Sequence, residues 1–385
     1  LAQGPREEHF AVCAPGLEPW LHQEIKALKF ANVERQVAGV RFDATVEEAW
    51  RANLELRTAI RVLKRVTRFT AKNEIELAAG IEAVDWSRWI HPDGTLRVDA
   101  RSKESALDHT LYVEQRTKDA VCDSLRARFS VRPTVSLDDP DLGIDVHLYK
   151  DRCTVSVDTS GDSLHKRGYR RYQGRAPLAE TFGAACAMAS RWDRRSPFVD
   201  PFCGSGTILI EAARLAGDMA PGLFRGRFGF ERWPGHDAAG WKALKESVRA
   251  RGAVPKKLVL KGSDANPEAI AGARENAEAA GVAACIQLEV AKAETIAWKK
   301  GWAAWIVTNP PWGERVGDER GADTTLKSLG DRLRVMAQGY RFGFLLGKKG
   351  LDRSLGLQIE ARESWLNGGL ECEFVTGEVG LGRVA

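Results

Sequence analysis

Phe198-Val199-Asp200-Pro201-Phe202-Cys203-Gly204-Ser205-Gly206-Thr207 reads as an apolar strand that breaks into a glycine-rich turn and then opens a helix through Ile208-Leu209-Ile210-Glu211-Ala212-Ala213. Gly204 and Gly206 carry no side chain, so the backbone can approach a ligand closely. The helix that follows offers unpaired N–H groups to a carboxylate or phosphate. There is no GxxxxGK[ST] phosphate loop, and the third glycine of the dinucleotide fingerprint is missing. A GxG by itself also serves as a tight strand-to-helix turn with no ligand, so the surrounding segments have to decide its meaning.

Working outward, strands and helices alternate: a strand over Ser196 to Cys203, a helix from Thr207, a strand over Lys257 to Asp264, a helix from Pro267, and strands over Cys285 to Ala291 and Ala303 to Asn309. A helix around Thr324 to Met336 and a strand over Arg341 to Gly347 complete the series. Such βα repetition predicts an α/β domain with a mostly parallel sheet covered on both faces. Leu357 to Trp365 and Leu370 to Thr376 flank Asn367-Gly368, a type I′ hairpin signal, so the sheet is expected to close with an antiparallel pair.

Two more strand ends carry chemistry. Ser263-Asp264-Ala265-Asn266-Pro267 places a carboxylate where it can accept both hydroxyls of a ribose, although Asp264 or Asn266 can equally cap the helix that Pro267 begins. Thr308-Asn309-Pro310-Pro311-Trp312 follows the apolar strand Ala304-Trp305-Ile306-Val307. Its two prolines remove backbone donors and fix an extended turn, which leaves the Asn309 side chain and the Pro310 carbonyl as acceptors suited to an N–H₂ group. Trp312 is placed to stack on the ring bearing that amine.

The first 160 residues read as two smaller α/β units. The first comprises a strand (His9 to Ala14), a helix (Leu17 to Leu28), a strand (Gly39 to Asp43) and a helix (Val46 to Asn53). The second comprises a basic alternating strand (Ile60 to Phe69), a strand (Leu96 to Arg101), a helix (Thr117 to Phe129) and a strand pair turning at Lys150-Asp151. The expected division is 1–62, 63–160 and 161–385.

The net charge is only +5 over 385 residues, which permits a nucleic-acid partner without indicating one. The positive surplus falls beyond residue 160. Its densest run, Lys166-Arg167-Gly168-Tyr169-Arg170-Arg171-Tyr172-Gln173-Gly174-Arg175, interleaves cations with tyrosines. Lys166, Arg167, Arg170, Arg171 and Arg175 are candidates for gripping phosphates, with a solvated interdomain connector as the alternative. The seven cysteines form no CxxC pair and no metal-ligand spacing with the seven histidines, so no metal is expected and a reducing, cytoplasmic setting fits. No signal peptide or membrane-spanning run is read in the chain.

DPFCGSGT with ILIEAA (Asp200 to Ala213), SDANP (Ser263 to Pro267) and NPPWGERVG (Asn309 to Gly317) resemble the motifs of class I methyltransferases that act on exocyclic amines. They are most similar to those of the bacterial THUMP-domain 23S rRNA guanine-N2 methyltransferases. GLEPWLHQEI (Gly16 to Ile25), GVRFDAT (Gly39 to Thr45), RANLELRTAIRVL (Arg51 to Leu63), VDWSRWI (Val84 to Ile90) and SGDSLHKRGYR (Ser160 to Arg170) extend the resemblance over nearly the whole chain.

The resemblance implies a ferredoxin-like unit, then an RNA-binding THUMP domain, then a Rossmann-like catalytic domain that uses S-adenosyl-L-methionine. Asp200, Gly204, Ser205, Gly206 and Thr207 would hold the methionine end of the cofactor and Asp264 its ribose, with Ala265 also in the cofactor site, and Asn309, Pro310, Pro311 and Trp312 the target guanine. Pro177 and Thr181 would border the cofactor. The implied partner is structured RNA, 23S rRNA ahead of tRNA; the sequence does not fix the oligomeric state, for which a monomer is the favoured expectation. An adenine N6 amine, a glutamine amide, or a non-catalytic RNA-binding assembly factor are the rival readings. Two positions depart from the family pattern. Trp312 stands where Tyr is usual, and Lys292 stands where an acid would face the adenine amino group.

Overall fold

The computed structural model describes residues 4–174, 176–312, 319–347 and 350–380. Arg175 of the basic run and residues 313–317 of the third motif therefore lie outside the described residues.

The first unit contains β1 (Glu7–Val12), α1 (Glu18–Ala27), β2 (Ala31–Gln36), β3 (Gly39–Ala44) and α2 (Val46–Glu55). A capping box starts α2: the Thr45 hydroxyl accepts from the Glu48 amide while the Glu48 carboxylate accepts from the Thr45 amide. Next come β4 (Arg61–Thr70), α3 (Glu74–Glu82), β5 (Thr95–Lys103), α4 (Thr110–Phe129), β6 (Thr134–Val135), β7 (Leu142–Tyr149) and β8 (Arg152–Asp158). All eight strands share one sheet in the order β2-β3-β1-β4-β8-β7-β5-β6. The joint is β4, which pairs with β1 over Arg61 to Lys64 and with β8 over Leu63 to Thr70. Lys150 and Asp151 turn the β7–β8 hairpin with φ of 50° and 60°, the positive values that a two-residue turn needs to match strand twist.

The remaining elements are α5 (Glu180–Ala189), β9 (Phe198–Asp200), α6 (Thr207–Ala216), α7 (Ala238–Arg251), β10 (Leu260–Asp264), α8 (Pro267–Ala279), β11 (Ile286–Val290), β12 (Trp305–Thr308), α9 (Glu319–Met336), β13 (Arg341–Leu346), α10 (Leu351–Leu355), β14 (Ala361–Asn367) and β15 (Leu370–Glu378). Their seven strands run β11-β10-β9-β12-β13-β15-β14. The first five are parallel, and β15 is antiparallel to both its neighbours, as the sequence pattern predicts. The closing hairpin turns one residue later than expected. Asn367 pairs with Leu370, and the two turn positions are Gly368 and Gly369, with φ of 57° and 91°. Two adjacent glycines adopt that turn with less strain than Asn367 would.

The first unit packs directly on the C-terminal domain. Trp20 donates its indole N–H to Glu363 at 2.7 Å, and Trp50 stacks on Phe230 and meets Trp241 edge-on. The second unit has its own core, built on Leu77, Ile81, Trp86, Val121, Leu125, Val146 and Val155. It meets the C-terminal domain through the Trp89–Trp233 edge contact and through Arg232, which reaches Asp139 and Asp141. Among the described residues no helix is long and apolar enough to cross a membrane, and no cluster of His, Cys, Asp and Glu could hold a metal ion.

Candidate active site

The three motifs end adjacent strands. β9 is central, with β10 on one side and β12 on the other, and the chain order reverses between β9 and β12. This is the switch point where open parallel sheets leave a crevice beyond their carboxyl ends.

After β9 the turn enters the left-handed region twice, at Gly204 (φ 51°) and Gly206 (φ 80°). The two glycines serve different ends. A Cβ on Gly206 would sit 3.2 Å from the Ala273 Cβ on α8, so this residue permits close packing; a Cβ on Gly204 would meet nothing within 4 Å, so the turn is open there. Asp264 holds the turn from β10: one carboxylate oxygen accepts from the Gly204 amide at 3.1 Å, the other from the Asn266 amide at 2.9 Å. Asn266 is the residue that caps α8, accepting from the Glu268 amide at 3.0 Å. The capping role, which the sequence left open between the two, falls to Asn266. Ala265 is exposed beside them.

Asp200 is 1% exposed. Its Oδ1 accepts from the Thr308 hydroxyl at 2.5 Å and from the Phe202 amide at 3.2 Å. Burial pushes its carboxyl up to about 7; Thr308 and Phe202 oppose the rise, and nearby Asp264 adds to it. An acid whose folded pKa lies above its ordinary value favours the folded state in its neutral form. Its contribution to stability is therefore complete below about pH 4 and is lost as pH rises to about 7.

Beyond β12, Asn309 is half-buried and its Oδ1 is buried without a hydrogen-bond partner among the described residues. An unpaired buried acceptor costs about 1–3 kcal/mol, a cost that a ligand donor can remove. Pro310 is buried and Pro311 exposed. Trp312 is fixed on two sides: its indole N–H donates to the Leu345 carbonyl at 3.1 Å, and its ring lies so close to Gly347 that a Cβ there would come within 2.1 Å of it. Glycine at 347 is a requirement of the tryptophan.

The basic run needs correction. Arg167 is 1% exposed; it donates to the Leu164 and Arg57 carbonyls and lies 3.7 Å from the Glu211 carboxylate. Arg170 pairs with Glu180 at 2.8 Å and is 12% exposed. Neither offers its guanidinium to a phosphate, because buried carboxylates have claimed them. Lys166 and Arg171 are exposed, Lys166 with Asp162 at 3.1 Å. Thr181 is buried at the start of α5, and Pro177 is exposed before it. Lys292 is exposed at the head of a short 3-10 turn after β11, with its carbonyl accepting from the Thr295 amide.

Three residues of the site escape a reading of motifs alone: Thr308, Glu180 and Asn276. Asn276 had a signal, being a polar residue in the stripe Ala269, Ile270, Ala273, Ala277 that α8 buries. Open space before Gly204, an acceptor without a donor at Asn309 and a buried carboxyl at Asp200 together fit a small cationic cofactor set beside an amine.

Known proteins resemble the chain along nearly its whole length. Residues 167–364, just over half of the chain, match the family model described as RMKL-like, methyltransferase domain. Residues 71–158 match a THUMP domain and residues 8–63 the RlmL ferredoxin-like domain. Ribosomal RNA large subunit methyltransferase K/L of Pseudomonas paraeruginosa is 37% identical over 97% of this chain and 54% of that protein. The chain thus spans about half the length of the curated relatives it matches. Among solved structures, a Clostridium difficile 630 protein described as "a possible methylase" superposes with a TM-score of 0.89 at 31% identity, covering 97% of this chain and 98% of that one. SMU.472, solved in complex with SAH, superposes at 0.88 with 28% identity, covering 99% of this chain and 100% of that one. The chain belongs to the RMKL-like methyltransferase family: a class I, S-adenosylmethionine-dependent methyltransferase domain preceded by RlmL-type ferredoxin-like and THUMP domains.

Proposed function

We propose that this chain methylates the exocyclic N2 amine of a guanine in large-subunit (23S) ribosomal RNA. The observation that carries the reading is the buried Oδ1 of Asn309, without a partner among the described residues, at the end of β12, one strand away from the glycine turn. The ribosomal substrate is supported by the names of the relatives. We read the chain as a cytoplasmic monomer, with 1–62 and 63–160 as the ferredoxin-like and THUMP units and 161–385 as the catalytic domain.

In this reading Gly204, Ser205, Gly206 and Thr207 hold the methionine end of the cofactor, with Asp200 beneath them, Asp264 and Ala265 at the ribose, and Pro177 and Thr181 along the border. S-adenosylmethionine supplies an electrophilic methyl group when bound. Asn309 Oδ1 and the Pro310 carbonyl accept hydrogen bonds from the two amine N–H groups, which leaves the nitrogen lone pair free to face that methyl; the methylated amine then gives up one proton to water. Pro311 stiffens the turn, and Trp312, braced by Leu345 and Gly347, gives the guanine a fixed aromatic wall. Such a site works by positioning and by electrostatics. The target base must be extruded or already unpaired to reach it. Mass-spectrometric mapping of modified nucleosides in rRNA and tRNA from cells lacking this protein tests the reading. Loss of N2-methylguanosine from the large-subunit rRNA is expected; loss from tRNA alone would move the substrate there.

Two predictions follow from the charges. Affinity for the cationic cofactor should fall as pH is lowered through about 7, where Asp200 becomes neutral, approaching roughly tenfold per pH unit below that point. Calorimetric titration between pH 6 and 8 measures it, and Asp200→Asn should flatten the profile. Lys166 and Arg171, the exposed cations of the connector, should each contribute to phosphate contacts. Replacing either with Ala should lower the slope of log K against log salt for rRNA fragments by about one unit. An unchanged slope in both would remove the connector from the RNA surface.

A further inference from the structure

The segment between β8 and α5 crosses directly beneath the glycine turn and is fastened to it by two side chains that the catalytic reading does not use. Arg170 spends its guanidinium on four acceptors. Nε donates to Glu180 at 2.8 Å, Nη1 to the Ser205 hydroxyl at 3.1 Å, and Nη2 to the Leu178 carbonyl at 2.9 Å and the Thr207 hydroxyl at 3.1 Å. Asn276, 1% exposed on α8, works from the other side. Its Nδ2 donates to the Ser205 carbonyl at 3.0 Å and the Tyr172 carbonyl at 2.9 Å, while its Oδ1 accepts from the Arg171 and Tyr172 amides. The ring of Tyr172 lies flat enough on α8 that a Cβ at Gly272 would come within 2.1 Å of it.

We propose that Arg170 and Asn276 are positioning residues that hold Ser205-Gly206-Thr207 in its ligand-accepting shape, a proposal that rests on reading this turn as the cofactor site. A turn with two glycines in the left-handed region is intrinsically loose. Without restraint its ordering is charged against ligand binding; with both hydroxyls flanking Gly206 tied to one planar fork and the Ser205 carbonyl tied to α8, it is preorganised. The fork geometry matters as much as the charge. A lysine ammonium satisfies Glu180 but cannot meet four acceptors in a plane. The neighbouring Arg167 instead pairs with Glu211 and donates to the Arg57 carbonyl, which ties the connector to the first unit.

The test is calorimetric titration of the full chain with S-adenosylhomocysteine, comparing wild type with Arg170→Lys and Asn276→Asp. Asn276→Asp keeps the acceptor for the Arg171 and Tyr172 amides but sets a carboxylate against two carbonyls. In each folded variant the Kd should rise about tenfold or more. With RNA substrate the cofactor KM should rise likewise, while kcat at saturating cofactor stays within about twofold of wild type. A purely structural role would lower the thermal midpoint and leave the Kd of the folded protein unchanged; that result overturns the proposal. Should Arg170→Lys fail to fold, Asn276→Asp decides. If wild type itself does not bind S-adenosylhomocysteine, the cofactor reading is what has failed, and the two failures are thereby told apart.

Discussion

Asn309→Ala is expected to lower methyl transfer by at least roughly 10²- to 10³-fold, the scale seen when one preorganised polar group is removed from a reacting centre, while cofactor affinity changes by less than about threefold. Asn309 begins the loop after β12, and its Oδ1 has no hydrogen-bond partner among the described residues, so truncating it takes no accepted hydrogen bond from them. Asp200 and Thr308 keep their own bond, and the glycine turn keeps Asp264. What is lost is the acceptor that orients the amine. Because this interaction strengthens as positive charge develops on the nitrogen, the loss falls on kcat more than on substrate KM. Single-turnover transfer to rRNA, paired with S-adenosylhomocysteine titration of the same preparation, separates the two quantities. Normal turnover by the variant would place the amine elsewhere.

Glu211→Ala should destabilise the protein by about 3–5 kcal/mol, the usual cost of stripping one partner from a buried ionic cluster. Glu211 is fully buried on α6, accepts from the Tyr169 hydroxyl at 3.0 Å and faces Arg167 at 3.7 Å. Arg57 and Arg214, also buried, share its field, and burial lowers the Arg57 pKa to about 10 despite Glu211 and Glu24. Removing the carboxylate leaves three guanidiniums gathered with too little negative charge. The effect should extend beyond α6, because Arg57 comes from the first unit and donates to the Met219 carbonyl, whereas Arg167 comes from the connector and donates to the Arg57 carbonyl. Urea unfolding should show a lower midpoint, and limited proteolysis should release the first unit earlier. A midpoint equal to wild type would mean that the cluster contributes nothing net.

Much of the catalytic domain was readable in order. The alternation of apolar strands with helices, the turns at Gly204 and Gly206, and the Asn-Pro-Pro-Trp loop are local features, written within ten residues each, and the sheet places them at neighbouring strand ends. The basic run was harder. Arg167 and Arg170 look like solvent-facing cations because nothing within a few residues opposes them; their carboxylates arrive from α6 and from the start of α5. Asn276 sits more than a hundred residues from the connector amides it holds. β4 presents an unbroken alternating strand, yet its two ends pair with different partners, β1 and β8.

By itself the sequence determined which strand ends carry the glycine turn, the carboxylate and the Asn-Pro-Pro-Trp loop, because backbone freedom at glycine and its loss at proline are properties of single residues. Only the tertiary structure decided which cations are exposed and which are buried, that Asp264 braces the turn while Asn266 caps the helix, and that the Asn309 Oδ1 at the end of β12 is left buried without a donor among the described residues. Those outcomes depend on how far each side chain is removed from water and on which distant group meets it there, and desolvation is a property of the folded molecule, not of any segment.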